Sequence, residues 1–184
     1  MRIIGGKERG RTIEAPAGRH TRPTLDRVRE NMFNVLQADV PDSRVLDLFA
    51  GSGALSLEAV SRGAESAVLV DNDRNASETE KSNIARLHYE NRTRAFHCDW
   101  KKAVETLRGE NALFDLVFLD PPYAMLDLRE VFNALVPVIH EDTLIVLEHE
   151  AGKQYTAADE FEAVKDRSWG FCAMTVFKYM KPGE

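Results

Sequence analysis

From Arg44 onward, short apolar runs alternate with longer stretches whose apolar residues recur at helical spacing. Arg44–Ala50, Ser66–Asp71, Thr93–His97, Phe114–Leu119 and Thr143–Glu148 read as strands. Between them, helices are predicted from Gly53 to about Arg62, from Arg74 to His88, from Trp100 to Leu107 and from Leu128 to Ile139. The second of these is mostly polar, with Ala76, Ile84 and Leu87 as its apolar positions. Strands separated by helices require crossovers, and crossovers build a parallel sheet covered on both faces. The end of the chain differs. Phe161–Asp166 and Phe171–Met180, joined by a short Arg167–Gly170 turn, predict an antiparallel hairpin on that sheet. The expected fold is a Rossmann-like, doubly wound α/β domain with a mostly parallel seven-stranded sheet.

The first forty residues follow another pattern. Short alternating segments around Gly5-Gly6 and Gly10, ending in Pro16-Ala17-Gly18, predict a β-hairpin-like arm. Thr24 or Asp26 then caps a helix through about Gln37, with Val28, Met32, Val35 and Leu36 on one face. Pro41-Asp42 closes this unit. The expected division is an N-terminal extension over 1–40 and an α/β domain over 41–184.

A chain of 184 residues suits one domain of this kind. Its 43% hydrophobic and 29% charged residues are a globular balance. No apolar run reaches the roughly 18–20 residues of a membrane helix, and the N-terminus has no signal-peptide core. Cys98 and Cys172 are too few for a disulfide framework, which predicts a reduced, cytoplasmic protein. His88, His97, His140 and His149 show no metal-ligand spacing, so no metal is expected. The net charge of −6 hides an asymmetry: residues 1–30 carry eight basic side chains against four acidic ones. A basic arm on an acidic body predicts a phosphate-contacting surface at one end, with Arg2, Lys7, Arg9, Arg11, Arg22 and Arg27 as its candidates.

Ligands of a doubly wound sheet bind beyond the carboxyl ends of its strands. Polar or glycine-rich segments stand at four successive ends. The first reads Asp47-Leu48-Phe49-Ala50-Gly51-Ser52-Gly53, where the glycines permit a tight turn and close approach to bare backbone. Ser56 replaces the third glycine of a dinucleotide fingerprint, which disfavours a nicotinamide oxidoreductase. Asp71 can accept both hydroxyls of a ribose, while Asp73 suits a helix cap. Asp99 offers an acceptor for an exocyclic adenine amine or a cap for the next helix. The fourth end, Asp120-Pro121-Pro122-Tyr123, joins a carboxylate, a proline-stiffened carbonyl and an aromatic ring, a combination that suits a planar group bearing an NH₂.

VLDLFAGSGALSLEAVSRGA, LVDND and FDLVFLDPPY together resemble class I S-adenosylmethionine-dependent methyltransferases acting on exocyclic amines. RIIGGKERGRTIEAP and TRPTLDRVRENMFNVL narrow the resemblance to the bacterial 16S ribosomal RNA guanine-N2 methyltransferase family that modifies guanine-966. The resemblance implies that Asp47, Phe49, Ala50, Gly51, Ser52 and Gly53 surround the methionine part of S-adenosylmethionine. It implies Asp71 and Asn72 at the ribose, and Asp99 with the Trp100 backbone at the adenine. Asp120, Pro121, Pro122 and Tyr123 would hold the target guanine, with Arg22, Pro23 and Thr24 approaching from above. The implied substrate is 16S rRNA within the small ribosomal subunit or an assembly intermediate, and the implied enzyme is a monomer. An adenine-N6 methyltransferase on DNA or RNA and a non-catalytic RNA-binding assembly factor are the alternatives.

Overall fold

The computed structural model describes residues 1–17 and 23–183, with the side chains of Pro23 and Thr24 outside that description. Its sheet is seven-stranded, in the order β3-β2-β1-β4-β5-β7-β6. The strands are β1 (Arg44–Asp47), β2 (Ser66–Asp71), β3 (Thr93–His97), β4 (Phe114–Leu119), β5 (Ile139–Glu150), β6 (Phe161–Trp169) and β7 (Cys172–Tyr179). The first five run parallel, and β7 joins β5 and β6 in antiparallel fashion. Strand order reverses at β1, which pairs with both β2 and β4. This is the expected doubly wound α/β architecture with an antiparallel C-terminal hairpin.

Successive residues of a strand point to opposite faces, so each central strand feeds two cores. Val45, Leu69, Phe118, Val146 and Met174 pack on one side beneath α1 (Pro23–Val35), α2 (Ala54–Ser61) and α3 (Arg74–Leu87). Leu46, Val70, Val117, Leu119 and Leu147 pack on the other beneath α4 (Trp100–Gly109) and α5 (Arg129–Leu135).

The N-terminal arm belongs to the first of these layers. Ile3 and Ile13 are buried in the same cluster as Phe33 and Phe118. The arm doubles back on itself, but its ladder is a single antiparallel bridge, Arg2 with Thr12, rather than a hairpin of two strands. Backbone bonds within the arm close its turn, among them the Ile3 N–H to the Arg11 carbonyl at 2.9 Å and the Ile13 N–H to the Met1 carbonyl at 3.0 Å, and others tie it to the domain. The N–H groups of Ile4 and Gly5 donate to the buried carboxylate of Glu58 at 2.9 and 2.8 Å. The N–H of Glu14 donates to Asn83 Oδ1 at 2.7 Å.

Several boundaries differ from expectation. β5 starts at Ile139 rather than Thr143, and β6 runs to Trp169, so most of the expected Arg167–Gly170 turn is strand. α1 starts at Pro23, so neither Thr24 nor Asp26 is its cap; Asp26 instead pairs with Arg29 and Arg2. β1 stops at Asp47, because the next residues leave the sheet to form the glycine loop. α5 ends at Leu135 and tightens into a 3₁₀ turn at Val136–Val138, where Pro137 has no N–H to continue the helix. Among the described residues, no helix is long and apolar enough to cross a membrane.

Candidate active site

The register of the sheet collects the acidic strand ends. Asp47 pairs with Phe118, and Leu119 pairs with Leu147, which sets the next residues, Asp120 and Glu148, side by side. By alternation, Asp47, Asp120 and Glu148 share the face covered by α1 and α2. Two cavities open at this edge. One, of about 200 Å³, is lined by Gly51, Asp71, Asp73 and Asn75, with Pro16 and Ala17 of the arm closing its side. The other, of about 260 Å³, is lined by Asp120, Pro121, Tyr123, Glu148, Tyr155 and Phe171.

At the glycine loop, Gly53 adopts φ +80° at the N-cap of α2. A Cβ there would stand 2.7 Å from the Leu69 side chain, so glycine is required both for conformation and for space. At Gly51 a Cβ would meet nothing within 4 Å, so the backbone there faces open space. The loop is pinned from β2: Asp71 Oδ2 accepts from the Gly51 N–H at 2.9 Å, and its Oδ1 accepts from the Asp73 N–H at 2.9 Å. Asp71 therefore shapes the loop with the same carboxylate expected to meet a ribose. Asp73 caps α3 through the Ala76 N–H at 2.8 Å, as expected.

Asp47 is sealed from solvent. Its Oδ2 accepts from Ser56 Oγ at 2.9 Å, which explains the serine in place of a third glycine. Its Oδ1 has no partner among the described residues. Burial, opposed by the Ser56 bond and more weakly by the Phe49 backbone N–H, and reinforced by Asp120 and Asp71, raises its carboxyl to about 7. Asp47 lines neither cavity, so a ligand's cationic group would satisfy Oδ1, and return the carboxyl to its ionised form, only where the glycine loop opens toward it. An orphaned carboxylate oxygen beside an open glycine loop and a ribose-suited aspartate fit S-adenosylmethionine, whose amino-acid tail carries an ammonium.

The other predicted cofactor contacts are dispersed. Phe49 packs against the second core, Ser52 is buried and its carbonyl accepts from Asn83 Nδ2, and Asn72 is exposed. Ala50 donates its N–H to the Val70 carbonyl at 2.9 Å. Asp99 caps α4 through the Lys101 N–H at 2.9 Å, while the Trp100 side chain is buried in the core.

At the fourth end, Pro121 is buried and Tyr123 is 74% exposed, its ring faced by Lys153 Nζ at 5.7 Å. The Pro122 carbonyl accepts from the Met125 N–H at 2.9 Å, which makes Pro122 a turn former. Sequence patterning did not indicate the far wall. Glu148, His149, Tyr155, Phe171 and Cys172 reach this cavity from β5, the following loop and the β6–β7 turn. Only the strand-end position of Glu148 could have signalled its place. Burial first, then Asp120 and Asp47, raise its carboxyl to about 8, against the pull of Arg29.

The basic candidates fall into two groups. α2 begins at the carboxyl end of β1, so its last turn lies at the opposite edge of the sheet. There the Lys7 N–H donates to the Ser61 carbonyl, and Arg11 pairs with Glu8 and donates to the Arg86 carbonyl in the last turn of α3. Lys7, Arg9 and Arg11 therefore occupy the foot of the helical layer, away from both cavities, because the arm's turn is tied to helix C-termini. Arg27 is exposed near the start of α1, and Arg2 pairs with Asp26 at 3.7 Å in the same region. Arg22 lies outside the described residues.

A family model described as "Conserved hypothetical protein 95" matches residues 1–178. A Bacillus subtilis protein named "Putative rRNA methyltransferase YlbH" is 34% identical over 181 residues, covering 97% of this chain and 98% of its own. "Ribosomal RNA small subunit methyltransferase D" of Escherichia coli is 42% identical over 135 residues, covering 73% of this chain and 66% of that protein. The solved Escherichia coli structure described as "Putative methyltransferase yhhF" superposes with a TM-score of 0.81 at 34% identity, covering 98% of both chains. The chain belongs to the family described as Conserved hypothetical protein 95, and it is similar to proteins named as ribosomal RNA methyltransferases.

Proposed function

We propose that this chain transfers a methyl group from S-adenosylmethionine to the exocyclic N2 of a guanine in 16S ribosomal RNA, guanine-966 by the family resemblance. The observation that carries this reading is the cavity in which Asp120, Pro121 and Tyr123 meet beside the cofactor-suited loop. Asp47 would take the cofactor's ammonium, Gly51 and Gly53 its approach, Asp71 its ribose and Asp99 its adenine.

When bound, S-adenosylmethionine supplies a methyl group on an electrophilic sulfonium. What the protein must do is make N2 nucleophilic, since its lone pair is delocalised into the purine. Asp120 and the Pro121 carbonyl accept the two amine hydrogens and favour a more tetrahedral nitrogen, stabilising the positive charge that develops there. As the carbon–nitrogen bond forms, one amine proton leaves through the Asp120 carboxylate, which is exposed to water. Tyr123 stacks on the base, and in-line placement supplies much of the remaining acceleration. A base must leave its stack to enter, which favours an unpaired nucleotide of folded RNA.

Within residues 1–40, α1 and the Arg2 side chain beside it form the RNA-facing part, with Arg2 and Arg27 as its basic residues. The substrate is the small subunit or an assembly intermediate, and the enzyme acts as a cytoplasmic monomer. The test is incubation of small subunits and naked 16S rRNA from cells lacking the gene with radiolabelled cofactor, followed by nucleoside analysis. N2-methylguanosine at one position is expected. N6-methyladenosine would overturn the reading, and no turnover on either substrate would favour a non-catalytic assembly factor.

A further inference from the structure

The motif Asp120-Pro121-Pro122-Tyr123 grips an amine and leaves open which base carries it. Adenine and guanine both offer an NH₂ beside a ring nitrogen, but that nitrogen, N1, is a bare acceptor in adenine and carries a hydrogen in guanine. A site that separates the two needs a second group beside the amine acceptor, and the sheet register supplies one.

We propose that Glu148 accepts the N1–H of the target guanine, forming with Asp120 a carboxyl pair that takes the two adjacent donors of one base edge. This rests on the guanine-N2 reading above. Glu148 follows Leu147, whose partner Leu119 precedes Asp120, so the two carboxyl groups extend from neighbouring parallel strands into one cavity. The charged and titratable groups around Glu148 are Asp120 just after β4, Asp47 on β1, Arg29 on α1, Cys172 on β7 and Tyr123 in the loop after β4, with Glu150 of β5 lining the same cavity. Arg29 is the one cation among these groups, so the pair gains from a ligand that brings two hydrogens. Guanine brings N1–H and N2–H together.

Glu148 holds its proton up to about 8, so ionisation is within reach at mildly alkaline pH, where a charge-assisted bond from N1–H would favour it. Protonated, the same carboxyl would donate and suit adenine's N1 instead. Preference for guanine therefore strengthens as pH rises.

The experiment uses small subunits reassembled around 16S rRNA carrying either guanine or 2-aminopurine at the modified position. 2-Aminopurine keeps the amine and lacks the hydrogen on N1. At pH 8.5 the wild-type enzyme is expected to prefer guanine by roughly 10- to 100-fold in kcat/KM, the scale of one specific base-edge contact. Glu148→Gln, whose amide can accept or donate, is expected to bring that ratio near one while S-adenosylhomocysteine still binds by calorimetry. A wild-type ratio near one, or a Glu148→Gln ratio unchanged from wild type, overturns this inference and leaves guanine-N2 transfer standing. Failure of the wild-type enzyme to form N2-methylguanosine on the guanine particles overturns both. Because the wild-type ratio is decisive by itself, an unfolded variant does not rescue the proposal.

Discussion

Arg29 of α1 and Glu58 of α2 meet at 3.5 Å in the seam between the N-terminal extension and the sheet, both nearly sealed from solvent. Glu58 also receives Arg62 at 2.8 Å and the N–H groups of Ile4 and Gly5, so one carboxylate joins arm, helix and domain. Removing it takes a partner from two guanidinium groups, of which Arg29 keeps Asp26, and leaves two backbone donors unpaired. Glu58→Ala is expected to cost about 3–5 kcal/mol of stability, the scale for breaking a buried charge network. Urea denaturation checks this, and a loss below about 1 kcal/mol would show that Ile3, Ile13 and the ties to Asn83 and Ser61 hold the arm without Glu58.

Glu80 makes the opposite case. It is buried on α3, and neither carboxyl oxygen has a hydrogen-bond partner among the described residues. Burial, reinforced by Asp47 and Asp71, raises its carboxyl from 4.5 to about 9. A folded state that holds a proton the unfolded chain has released loses stability as pH rises. That contribution is complete below about 4.5 and is lost progressively toward pH 9. Glu80→Leu is expected to flatten this slope and to raise stability by about 1–3 kcal/mol at pH 8, the cost of an unsatisfied buried polar group. Unfolding free energies of both proteins from pH 5 to 9 decide it, and parallel curves would contradict the assignment.

Asp120→Ala is expected to reduce methyl transfer by more than about 100-fold while leaving S-adenosylhomocysteine affinity nearly unchanged, because Asp120 lines the cavity proposed for the base. Calorimetry beside a transfer assay tests this. Equal loss of both would make Asp120 a structural residue.

The basic residues are not equivalent. Arg27→Glu, near the start of α1, is expected to weaken RNA binding and to lower the magnitude of the salt slope by about 1. Arg9→Glu, in the turn docked at the foot of α2, is expected to change neither. Fluorescence anisotropy across a salt series compares them; equal effects would extend the RNA surface over the whole arm.

Phe171 is 90% exposed at the β6–β7 turn, yet lines the cavity of Asp120 and Tyr123 that is proposed to hold the base. Phe171→Ala is expected to leave stability within about 0.5 kcal/mol, as for a surface change. It is expected to raise KM for RNA several-fold through lost base stacking. An unchanged KM would remove Phe171 from the RNA surface.

The order of strands and helices, the four acidic strand ends and the capping role of Asp73 were all readable in the chain, because alternation, helical spacing and turn chemistry are local. The sequence by itself therefore determined the fold and the near wall of the site. Register and docking are not local. Pairing of Leu119 with Leu147 brought Glu148 beside Asp120, and the β6–β7 turn brought Phe171 to the same cavity. The ties from Lys7 and Glu8 to Ser61 carried half of the basic arm away from it. Only the tertiary structure decided those placements, because a residue's distance from the site depends on which strand lies beside it and which helix end receives it.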